Sequence, residues 1–294
     1  MKHPFERIRG IRVRECESLS KYTSLRVGGE ARYFIYVDSK RALSRILEIS
    51  RRDRIRYVPI GAGTNVLVAD SGYDGAVLKL SGAFKRIRRK ESLFRCGGGV
   101  LIERFLREAT KAGYGGGEFL AGIPGTLGGA VKGNAGAFGH AVGELVVDVH
   151  LMDEHGLELV RTESEIVFTY RSTDIDHSSI ITAVNLRLRK ESRKVIRSKI
   201  ERNLSIRRVR QPIGYSAGSF FKNPPGRAAG ELIDICGLKG MSVGDAEVSR
   251  KHGNYIMNRG HARAADVLEL AERIKKVVRE RTGVALEEEV RLLS

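Results

Sequence analysis

The 294-residue chain lacks several features that mark specialised classes of protein. It has no tryptophan and only three cysteines, and Cys16, Cys96 and Cys236 lie far apart without a CxxC pair. This spacing argues against a disulfide framework and against a zinc site, and it fits a reducing compartment. No segment approaches the roughly 20 apolar residues that span a bilayer, and no apolar run of a secretory signal follows the N-terminus. We therefore expect a soluble, cytoplasmic protein with no membrane partner.

The composition is strongly basic. Lysine and arginine number 52 against 35 aspartate and glutamate residues, a formal net charge of +17. A surplus of this sign suggests nucleic acid as a partner. The surplus is concentrated in residues 1–60 and 190–210, and the glycine-rich middle of the chain is nearly neutral. No aromatic residues alternate with the basic ones, as single-strand binding would require. We interpret both segments as solvated surface and expect no nucleic-acid partner; a basic nucleic-acid-binding protein stays as an alternative hypothesis.

Hydrophobic periodicity predicts an α+β chain without internal repeats. Apolar residues at helical spacing predict helices over 39–53, with a serine or aspartate cap, and over 100–113. Short β-like runs predict strands at 57–60, 76–80 and 93–96. After residue 145, three more strands are predicted, with His155-Gly156 as the turn between the first two.

A change of character near residue 189 indicates a domain boundary. Residues 190–211 predict a basic helix with few apolar positions, ended by Pro212, which suits a connector between two domains with a boundary at about 189–212. The last third of the chain has its own predicted helices over 227–236 and 264–282. It ends in a predicted strand over 284–293.

The first of two glycine-rich segments follows a predicted strand. Gly61-Ala62-Gly63-Thr64-Asn65 has the beginning of a dinucleotide-binding fingerprint, but Val66 stands where the Rossmann pattern needs its third glycine. The sequence also has no Gly-Lys pair, which excludes a P-loop. Both standard nucleotide motifs are therefore disfavoured.

The second segment, residues 122–139, contains seven glycines in eighteen positions. Glycine costs conformational entropy on folding, so this density indicates a function. Backbone N–H groups without side chains can form a concave nest for phosphate, and Thr126 and Asn134 can add side-chain hydrogen bonds. Two such segments predict a long ligand that contains a pyrophosphate, and a dinucleotide is the natural candidate.

These segments resemble the UDP-N-acetylenolpyruvoylglucosamine reductase family, the flavoenzymes of peptidoglycan precursor synthesis. The chain is similar to the shorter branch of the family, which lacks an extra loop over the substrate. The similar motifs occur in order between about residues 20 and 292, namely TSLRVGG (23–29), PIGAGTNVLV (59–68), GIPGTLGGAVKGNAGAFG (122–139), YR (170–171), AGSFFKNP (217–224), GLKG (237–240) and LEEEVR (286–291).

The resemblance implies the FAD-binding fold of the vanillyl-alcohol-oxidase type, made of two subdomains over residues 1–75 and 76–189. An α+β substrate-binding domain over 190–294 follows, and its final strand, 284–293, returns toward the flavin. FAD is implied to bind non-covalently, with NADPH as co-substrate. The matching motifs imply as FAD-binding residues Arg26, Gly61, Ala62, Gly63, Thr64, Asn65, Val66, Leu67, Gly122, Ile123, Pro124, Gly125, Thr126, Gly128, Gly129, Asn134, Ala135 and Gly136.

The resemblance also implies the reaction. Hydride passes from NADPH to FAD and then to the enolpyruvyl ether of a UDP-sugar, and a proton completes the lactyl group. Hydride addition beside a carboxylate builds an enolate-like dianion, which needs cationic and hydrogen-bond stabilisation. Arg171 is implied to bind that carboxylate, Ser219 to donate the proton and Glu289 to act beside them in a protonated form. The implied substrate-binding residues are Tyr170, Lys222, Asn223 and Lys239.

The sequence leaves the assistance of Ser219 open. A serine hydroxyl is intrinsically a poor acid, so a neighbouring group or a water has to help it. Tyr255, in the segment HGNYIMN, is interpreted as a core residue. The seven histidines show no paired spacing, so no metal is predicted, and no obligatory protein partner is visible.

Three departures from the family pattern concern the loops near Arg171. Lys-Gly at 132–133 stands where the family has an aromatic residue and a methionine, and Thr169 stands where glycine is common. Ser-Thr-Asp at 172–174 alters a serine-centred motif. We expect these departures to affect loop geometry more than identity.

Two other enzyme classes compete with this interpretation. Another FAD-dependent oxidase or dehydrogenase of the same fold would share the cofactor segments but not the motifs around Ser219, Lys239 and Glu289. A hydrolase would use GYSAG (214–218), which satisfies G-x-S-x-G and is followed by Asp234 and His252 in the required order. That nucleophile elbow needs a strand before it and a helix after it, whereas a basic helix and a proline precede it here, so the hydrolase is disfavoured.

Overall fold

Helices and strands are interspersed along residues 3–294, the part of the chain that this computed structural model describes. The helices are α1 (Lys40–Arg52), α2 (Ile102–Ala112), α3 (Leu127–Lys132), α4 (Arg193–Arg210), α5 (Ala229–Ile235) and α6 (Ala264–Thr282). The strands are β1 (Ile11–Ser18), β2 (Glu30–Val37), β3 (Tyr57–Pro59), β4 (Val66–Val68), β5 (Tyr73–Leu80), β6 (Ile87–Lys90), β7 (Leu93–Gly97), β8 (Tyr114–Gly115), β9 (Gly136–Ala137), β10 (His140–Ala141), β11 (Val146–Met152), β12 (Glu158–Thr162), β13 (Phe168–Thr169), β14 (Ser172–Thr173), β15 (Ile180–Arg187), β16 (Arg189–Lys190), β17 (Tyr215–Ser216), β18 (Ser242–Val243), β19 (Ala246–Val248), β20 (Ile256–Asn258) and β21 (Arg291–Leu293). The α+β class predicted from the sequence is confirmed.

All the long predicted helices are present, and α3 is an addition. The side chain of Ser39 caps α1 by accepting a hydrogen bond from the Ala42 N–H at 3.2 Å. The sequence analysis does not predict α3, because glycine has low helix propensity and two glycines follow Leu127. Burial of Leu127 and Val131 outweighs that propensity. Within residues 3–294 no helix combines the length and the apolar character that crossing a bilayer requires.

The chain divides into two compact units whose segments are not consecutive. Unit 1 contains the described part of Met1–Glu15, with Tyr33–Gly61 and Gly75–Ile206; unit 2 contains Cys16–Arg32, Ala62–Asp74 and Arg207–Ser294. These units do not follow the three consecutive ranges 1–75, 76–189 and 190–294, because each unit takes segments from distant parts of the chain. Residues 190–206 belong to unit 1, so the boundary falls within α4. The functional assignment of those three ranges stays a prediction.

Unit 1 is built around an antiparallel sheet in the order β12-β11-β15-β7-β6. Gly156, at φ +79°, lies in the predicted turn between β11 and β12, which pair antiparallel. A hydrophobic core containing Phe94, Phe105 and Val184 joins this sheet to α2 and α3. Unit 1 also holds α1 and most of a four-stranded sheet in the order β1-β2-β5-β3.

Unit 2 contains an antiparallel sheet in the order β17-β20-β19-β18, which shares a hydrophobic core with α5 and α6. The predicted C-terminal strand over 284–293 is shorter than expected, because only β21 has strand geometry and pairs in parallel with β4. The preceding residues bond instead to residues 220–222. There the Lys222 N–H donates to the Glu287 carbonyl and the Glu289 N–H donates to the Phe220 carbonyl, both at 2.8 Å.

Asp70 anchors the segment 62–74 to helix α6 within unit 2. Its two carboxylate oxygens accept hydrogen bonds from the backbone N–H groups of Ala264 at 2.8 Å and Ala265 at 3.0 Å, at the start of the helix. These N–H groups have no partner inside a helix, and a negative charge there also interacts favourably with the helix dipole. Asp70 therefore acts as a cap supplied from almost 200 positions away, and it holds the segment that carries the first glycine motif.

We predict that Asp70→Ala lowers the free energy of unfolding by about 1–2 kcal/mol, because two helix N–H groups lose their acceptor. Equilibrium urea unfolding followed by circular dichroism measures this difference. Asp74→Ala is the matched control, because the Asp74 side chain is 84% exposed and only pairs with Arg32 at 3.5 Å. The control should stay within about 0.5 kcal/mol of the parent; equal effects of the two substitutions would contradict the capping role.

Candidate active site

The glycine-rich segment of unit 1 contains glycines with two different roles. Thr126 precedes α3, and its hydroxyl oxygen accepts a hydrogen bond from the Gly129 N–H at 3.3 Å. A β-carbon at Gly128 would lie 2.9 Å from the Gly98 carbonyl oxygen, so internal packing requires that glycine. Gly129 is exposed, and among the described residues a β-carbon there would meet only the Thr126 hydroxyl, at 3.4 Å. This open space lets a phosphate group approach the backbone of Gly129, which agrees with the predicted dinucleotide ligand.

Gly61, the start of the other glycine motif, lies against Thr126 in unit 1. A β-carbon at Gly61 would be 2.6 Å from the Thr126 hydroxyl oxygen. The Gly61 carbonyl accepts a hydrogen bond from the Lys79 ammonium at 2.6 Å. Burial lowers the pKa of Lys79, and the charge of Lys85 adds to this effect. The sequence analysis misses Lys79, whose only signal is a lysine within the apolar run AVLKL (76–80).

Asn134 uses its side chain to hold neighbouring loops. It is buried, its Oδ1 accepts from the Gly143 N–H at 3.1 Å, and its Nδ2 donates to the Thr169 carbonyl at 2.8 Å. Its backbone has φ +40°, a left-handed conformation that is uncommon outside glycine. The side chain was expected to bond to a ligand, but its amide oxygen and amide nitrogen both bond to the protein here.

Arg171 lies beside the end of the same glycine-rich segment. Its Nη1 donates to the Gly136 carbonyl at 3.0 Å, and its guanidinium carbon lies 5.3 Å from the ring centroid of Tyr170. Arg171 also has a left-handed backbone, with φ +58°. Such a conformation costs free energy in a non-glycine residue and is often found at functional sites.

The three departures from the family pattern all make hydrogen bonds in the loops around Arg171. Lys132 donates to the carbonyls of Ile175 and Asp176, and its own carbonyl accepts from the Thr173 hydroxyl at 3.0 Å. Asp174 accepts from Arg161 at 2.8 Å, and this hydrogen bond lowers the pKa of its carboxyl. The altered residues therefore tie these loops together within unit 1.

In unit 2, the first glycine motif packs on the segment 23–29. Gly63 has φ +67°, and a β-carbon there would lie 1.9 Å from the Tyr22 carbonyl oxygen, so the contact requires glycine. The Gly63 carbonyl accepts from the Ser24 N–H at 2.9 Å. The guanidinium of Arg26, another residue with a left-handed backbone, lies 5.2 Å from the ring centroid of Tyr215.

Backbone hydrogen bonds bring Ser219 and Glu289 to adjacent chain segments of unit 2. The N–H of Phe220 donates to the Asn254 carbonyl at 2.8 Å, and the carbonyl of Phe220 accepts from the Glu289 N–H at 2.8 Å. Ser219 precedes Phe220, Tyr255 follows Asn254, and Glu289 itself forms the second bond. The three residues therefore lie on three neighbouring segments of the chain.

The Tyr255 hydroxyl lies at this junction. Tyr255 is 7% exposed, which agrees with its interpretation as a core residue. Burial raises the pKa of Tyr255; Arg207 and the Ser219 side chain act in the opposite direction, and the charge of Glu289 adds to the rise.

The three consecutive glutamates of unit 2 have different surroundings. Glu287 forms an ion pair with Lys222. Glu288 pairs with Lys275 at 3.0 Å, and Glu289 is the one whose charge acts on Tyr255. Glu287 and Glu288 thus pair with lysines, and the backbone N–H of Glu289 bonds to Phe220, the residue after the predicted proton donor.

The other predicted substrate-binding residues of unit 2 already contact protein groups. The Lys239 ammonium lies 2.5 Å from a carboxylate oxygen of Asp234. Asn223 accepts a hydrogen bond from the Ala229 N–H at 3.0 Å. Their roles toward substrate stay predictions.

The structure also excludes the nucleophile elbow of a hydrolase. Ser216 belongs to the two-residue strand β17, but the next helix, α5, begins thirteen residues later at Ala229. His252 packs its ring edge-on against Tyr255, with centroids 4.9 Å apart. Within residues 3–294 no cluster of three or more histidine, cysteine or acidic residues is arranged to hold a metal ion.

Comparison with known proteins identifies the family. Residues 31–162 match the model of an FAD binding domain, and residues 210–293 match the model described as UDP-N-acetylenolpyruvoylglucosamine reductase, C-terminal domain. The chain is 41% identical to UDP-N-acetylenolpyruvoylglucosamine reductase 2 of Symbiobacterium thermophilum, over 98% of this chain and 96% of that one. It is 40% identical to the reductase of Moorella thermoacetica, over 95% of this chain and 93% of that one.

A solved structure gives the same result for the fold. The crystal structure of UDP-N-acetylenolpyruvylglucosamine reductase from Thermus caldophilus superposes with a TM-score of 0.86 at 37% identity, covering 97% of this chain and 100% of that one. The predicted FAD-binding fold, followed by a further α+β domain, is confirmed. The chain belongs to the UDP-N-acetylenolpyruvoylglucosamine reductase family and is an FAD-dependent oxidoreductase.

Proposed function

We propose that the chain uses NADPH to reduce the enolpyruvyl ether of UDP-N-acetylglucosamine enolpyruvate to UDP-N-acetylmuramate, in cytoplasmic peptidoglycan precursor synthesis. The observation that carries the proposal is the backbone hydrogen bond from Glu289 to Phe220, which brings Ser219 and Glu289 to adjacent segments of unit 2. The reaction needs a proton at carbon after hydride addition, and these segments carry a hydroxyl group and a carboxyl group. Family membership supports the same reaction.

FAD, when bound, takes the hydride from NADPH and returns it to the substrate double bond. The residues proposed to hold it in unit 1 are Gly61 and residues 122–126, 128–129 and 134–136. In unit 2 they are Arg26 and residues 62–67. The open face of Gly129 supports this proposal, because the protein's own packing does not account for the missing side chain.

Three side chains are proposed to act on the substrate. Arg171 binds the carboxylate with a planar pair of N–H donors and stabilises the negative charge that develops there. Ser219 donates the proton to carbon. Glu289 holds the carboxylate through its own proton, since two ionised carboxyl groups would repel each other.

Lys222 and Lys239 are proposed to bind the diphosphate of the UDP-sugar, with Asn223 and Tyr170 as further substrate contacts. Both lysines have carboxylate partners, which a diphosphate would have to replace. The replacement has a small free-energy cost because the acidic partners, Glu287 and Asp234, are 73% and 53% exposed, and exposed ion pairs are weak. We propose no nucleic-acid or membrane partner.

Absorbance spectroscopy of the purified protein tests the function. Without oxygen, NADPH should bleach the oxidised-flavin bands, and UDP-N-acetylglucosamine enolpyruvate should restore them with formation of UDP-N-acetylmuramate, identified by mass spectrometry. A flavin that NADPH reduces but that only oxygen reoxidises would favour an oxidase. A colourless protein that binds DNA with a steep salt dependence would favour the nucleic-acid alternative.

We predict that Gly129→Val folds but purifies with little FAD, because its side chain would occupy the space proposed for the pyrophosphate. Flavin absorbance per mole of protein measures occupancy, and circular dichroism measures folding. Gly133→Val is the matched control at the other end of α3, where a β-carbon would meet only the Gly129 carbonyl, at 3.6 Å. Full flavin occupancy in Gly129→Val would show that the phosphate site lies elsewhere.

We predict that Ser219→Ala keeps FAD and is reduced by NADPH at nearly the parent rate, while reoxidation by the UDP-sugar slows by roughly 10²–10⁴-fold. The reason is that only the second half of the reaction requires the proton. Ser219→Cys should recover part of the rate, since a thiol can donate from almost the same place. Stopped-flow flavin absorbance separates the two halves. Equal slowing of both would indicate a structural role, and unchanged reoxidation would assign the proton to another group, such as Ser216.

A further inference from the structure

Glu289 lies where the C-terminal segment of unit 2 changes its bonding partners. Residues 287–289 bond to residues 220–222, whereas the strand β21 pairs in parallel with β4. Glu289 bonds to both sides. Its N–H donates to the Phe220 carbonyl at 2.8 Å, and its carbonyl accepts from the Asn65 side chain, with Nδ2 and the oxygen 3.1 Å apart.

Asn65 contacts the C-terminal segment through its backbone as well as its side chain. The Asn65 carbonyl accepts a hydrogen bond from the Arg291 N–H at 3.2 Å, and β4 begins at the next residue. Just after β4, the Ala69 N–H donates to the Leu293 carbonyl at 2.8 Å. The strand pairing therefore fixes the Asn65 backbone beside the C-terminal segment, and the Asn65 side chain extends this contact to Glu289.

The two bonds of Glu289 act on the direction of its side chain. Peptide groups are planar, so the orientation of a residue depends on two backbone dihedral angles. The bond at the N–H holds the peptide plane before Glu289, and the bond at the carbonyl holds the plane after it. Together they set the direction in which the Glu289 side chain leaves the backbone. Loss of the Asn65 side chain would release the second plane.

The Asn65 side chain is exposed, and this limits what its hydrogen bond contributes to stability. Water can replace the amide nitrogen as a donor to the carbonyl, so the net free energy of the bond is small. Water does not fix the orientation of the carbonyl as a side chain of this segment does. The contribution of Asn65 therefore lies in position more than in stability.

We propose that Asn65 is a positioning residue for Glu289, because its side-chain amide fixes the backbone from which the proposed carboxylate-binding group extends. The inference rests on the proposed function. The resemblance assigns Asn65 to FAD, and backbone N–H groups of the first glycine motif can serve that purpose. The Asn65 side chain has a different task, so this motif also orients a residue that acts on the substrate.

Asn65→Ala tests the role, because it removes the donor and keeps the backbone. We expect FAD affinity and flavin reduction by NADPH to stay within about twofold of the parent. Reoxidation by the UDP-sugar should slow by about 5- to 50-fold, since a small displacement of a positioned group is costly in rate. Asn65→Asp, which has the same shape but no N–H donor, should slow reoxidation at least as much. Asp74→Ala, an exposed position in the same segment of unit 2, is the matched control and should keep the parent rates.

Equal slowing of both half-reactions, or loss of FAD in Asn65→Ala, would overturn the inference, because either result would assign the side chain to the cofactor. A double variant adds a second criterion. If Asn65 acts through Glu289, Asn65→Ala/Glu289→Ala should be slower than Glu289→Ala by no more than about twofold. Full additivity of the two effects would contradict the positioning role.

A measurement without turnover separates this inference from the proposed reaction. The dipeptide Glu-Val occurs only at 247–248 and 289–290. Holoenzyme labelled with ¹³C at the glutamate carbonyl carbon and with ¹⁵N in valine therefore gives two signals in an NMR experiment that correlates each amide with the preceding carbonyl. Val290→Ile identifies the Glu289 signal by its loss.

In Asn65→Ala the Glu289 carbonyl signal should move, because its hydrogen bond is lost, while the Glu247 signal stays in place as an internal reference. An unmoved Glu289 signal would overturn the inference even if the reductase reaction is established. A moved signal in a protein whose parent does not reduce the UDP-sugar would instead contradict the proposed function, and the positioning role would fall with it.

Discussion

The hydrogen bonds of Phe220 and Phe221 hold the chemically important part of unit 2 together. The backbone of Phe220 bonds to Asn254 on one side and to Glu289 on the other, and the Asn254 side chain satisfies both backbone groups of Phe221. An unsatisfied buried polar group costs about 1–3 kcal/mol, so this arrangement resists any shift of one segment past another. The positions of Ser219, Tyr255 and Glu289 all depend on it.

The glycines of the two motifs differ in what surrounds their backbones. Gly63 and Gly128 are required by close contacts with protein carbonyl oxygens, whereas Gly129 faces open space. A glycine-rich motif therefore contains glycines that close packing requires and glycines that packing does not require. Only the structure shows which glycine is of which kind. The left-handed backbones of Arg26, Asn134 and Arg171 add a second kind of local constraint around the predicted cofactor and substrate residues.

Electrostatics places different demands on the surface and on the buried cluster. The helix α4 is basic and buries only Ile196 along its length, which agrees with a solvated surface segment. At the buried Tyr255, by contrast, burial raises the pKa of the phenol, Arg207 lowers it and the charge of Glu289 raises it further.

The sequence by itself determined the family, the α+β class and the positions of nearly all the long helices. These follow from motifs and from hydrophobic periodicity, which are local properties of the chain. Local patterns did not reveal α3, because burial of Leu127 and Val131 outweighs the low helix propensity of its glycines. They also overextended the final strand, because residues 287–289 bond to residues 220–222 and not in a continuous ladder.

The tertiary structure alone decided which side chains surround each predicted residue. The Asn254 side chain bonds to both backbone groups of Phe221, 33 positions earlier in the chain. Lys79 and Asp70 likewise show their roles only through contacts with Gly61 and with the start of α6. Such contacts join residues that are distant in sequence, and periodicity reports which face of an element is buried but not what the buried polar atom meets.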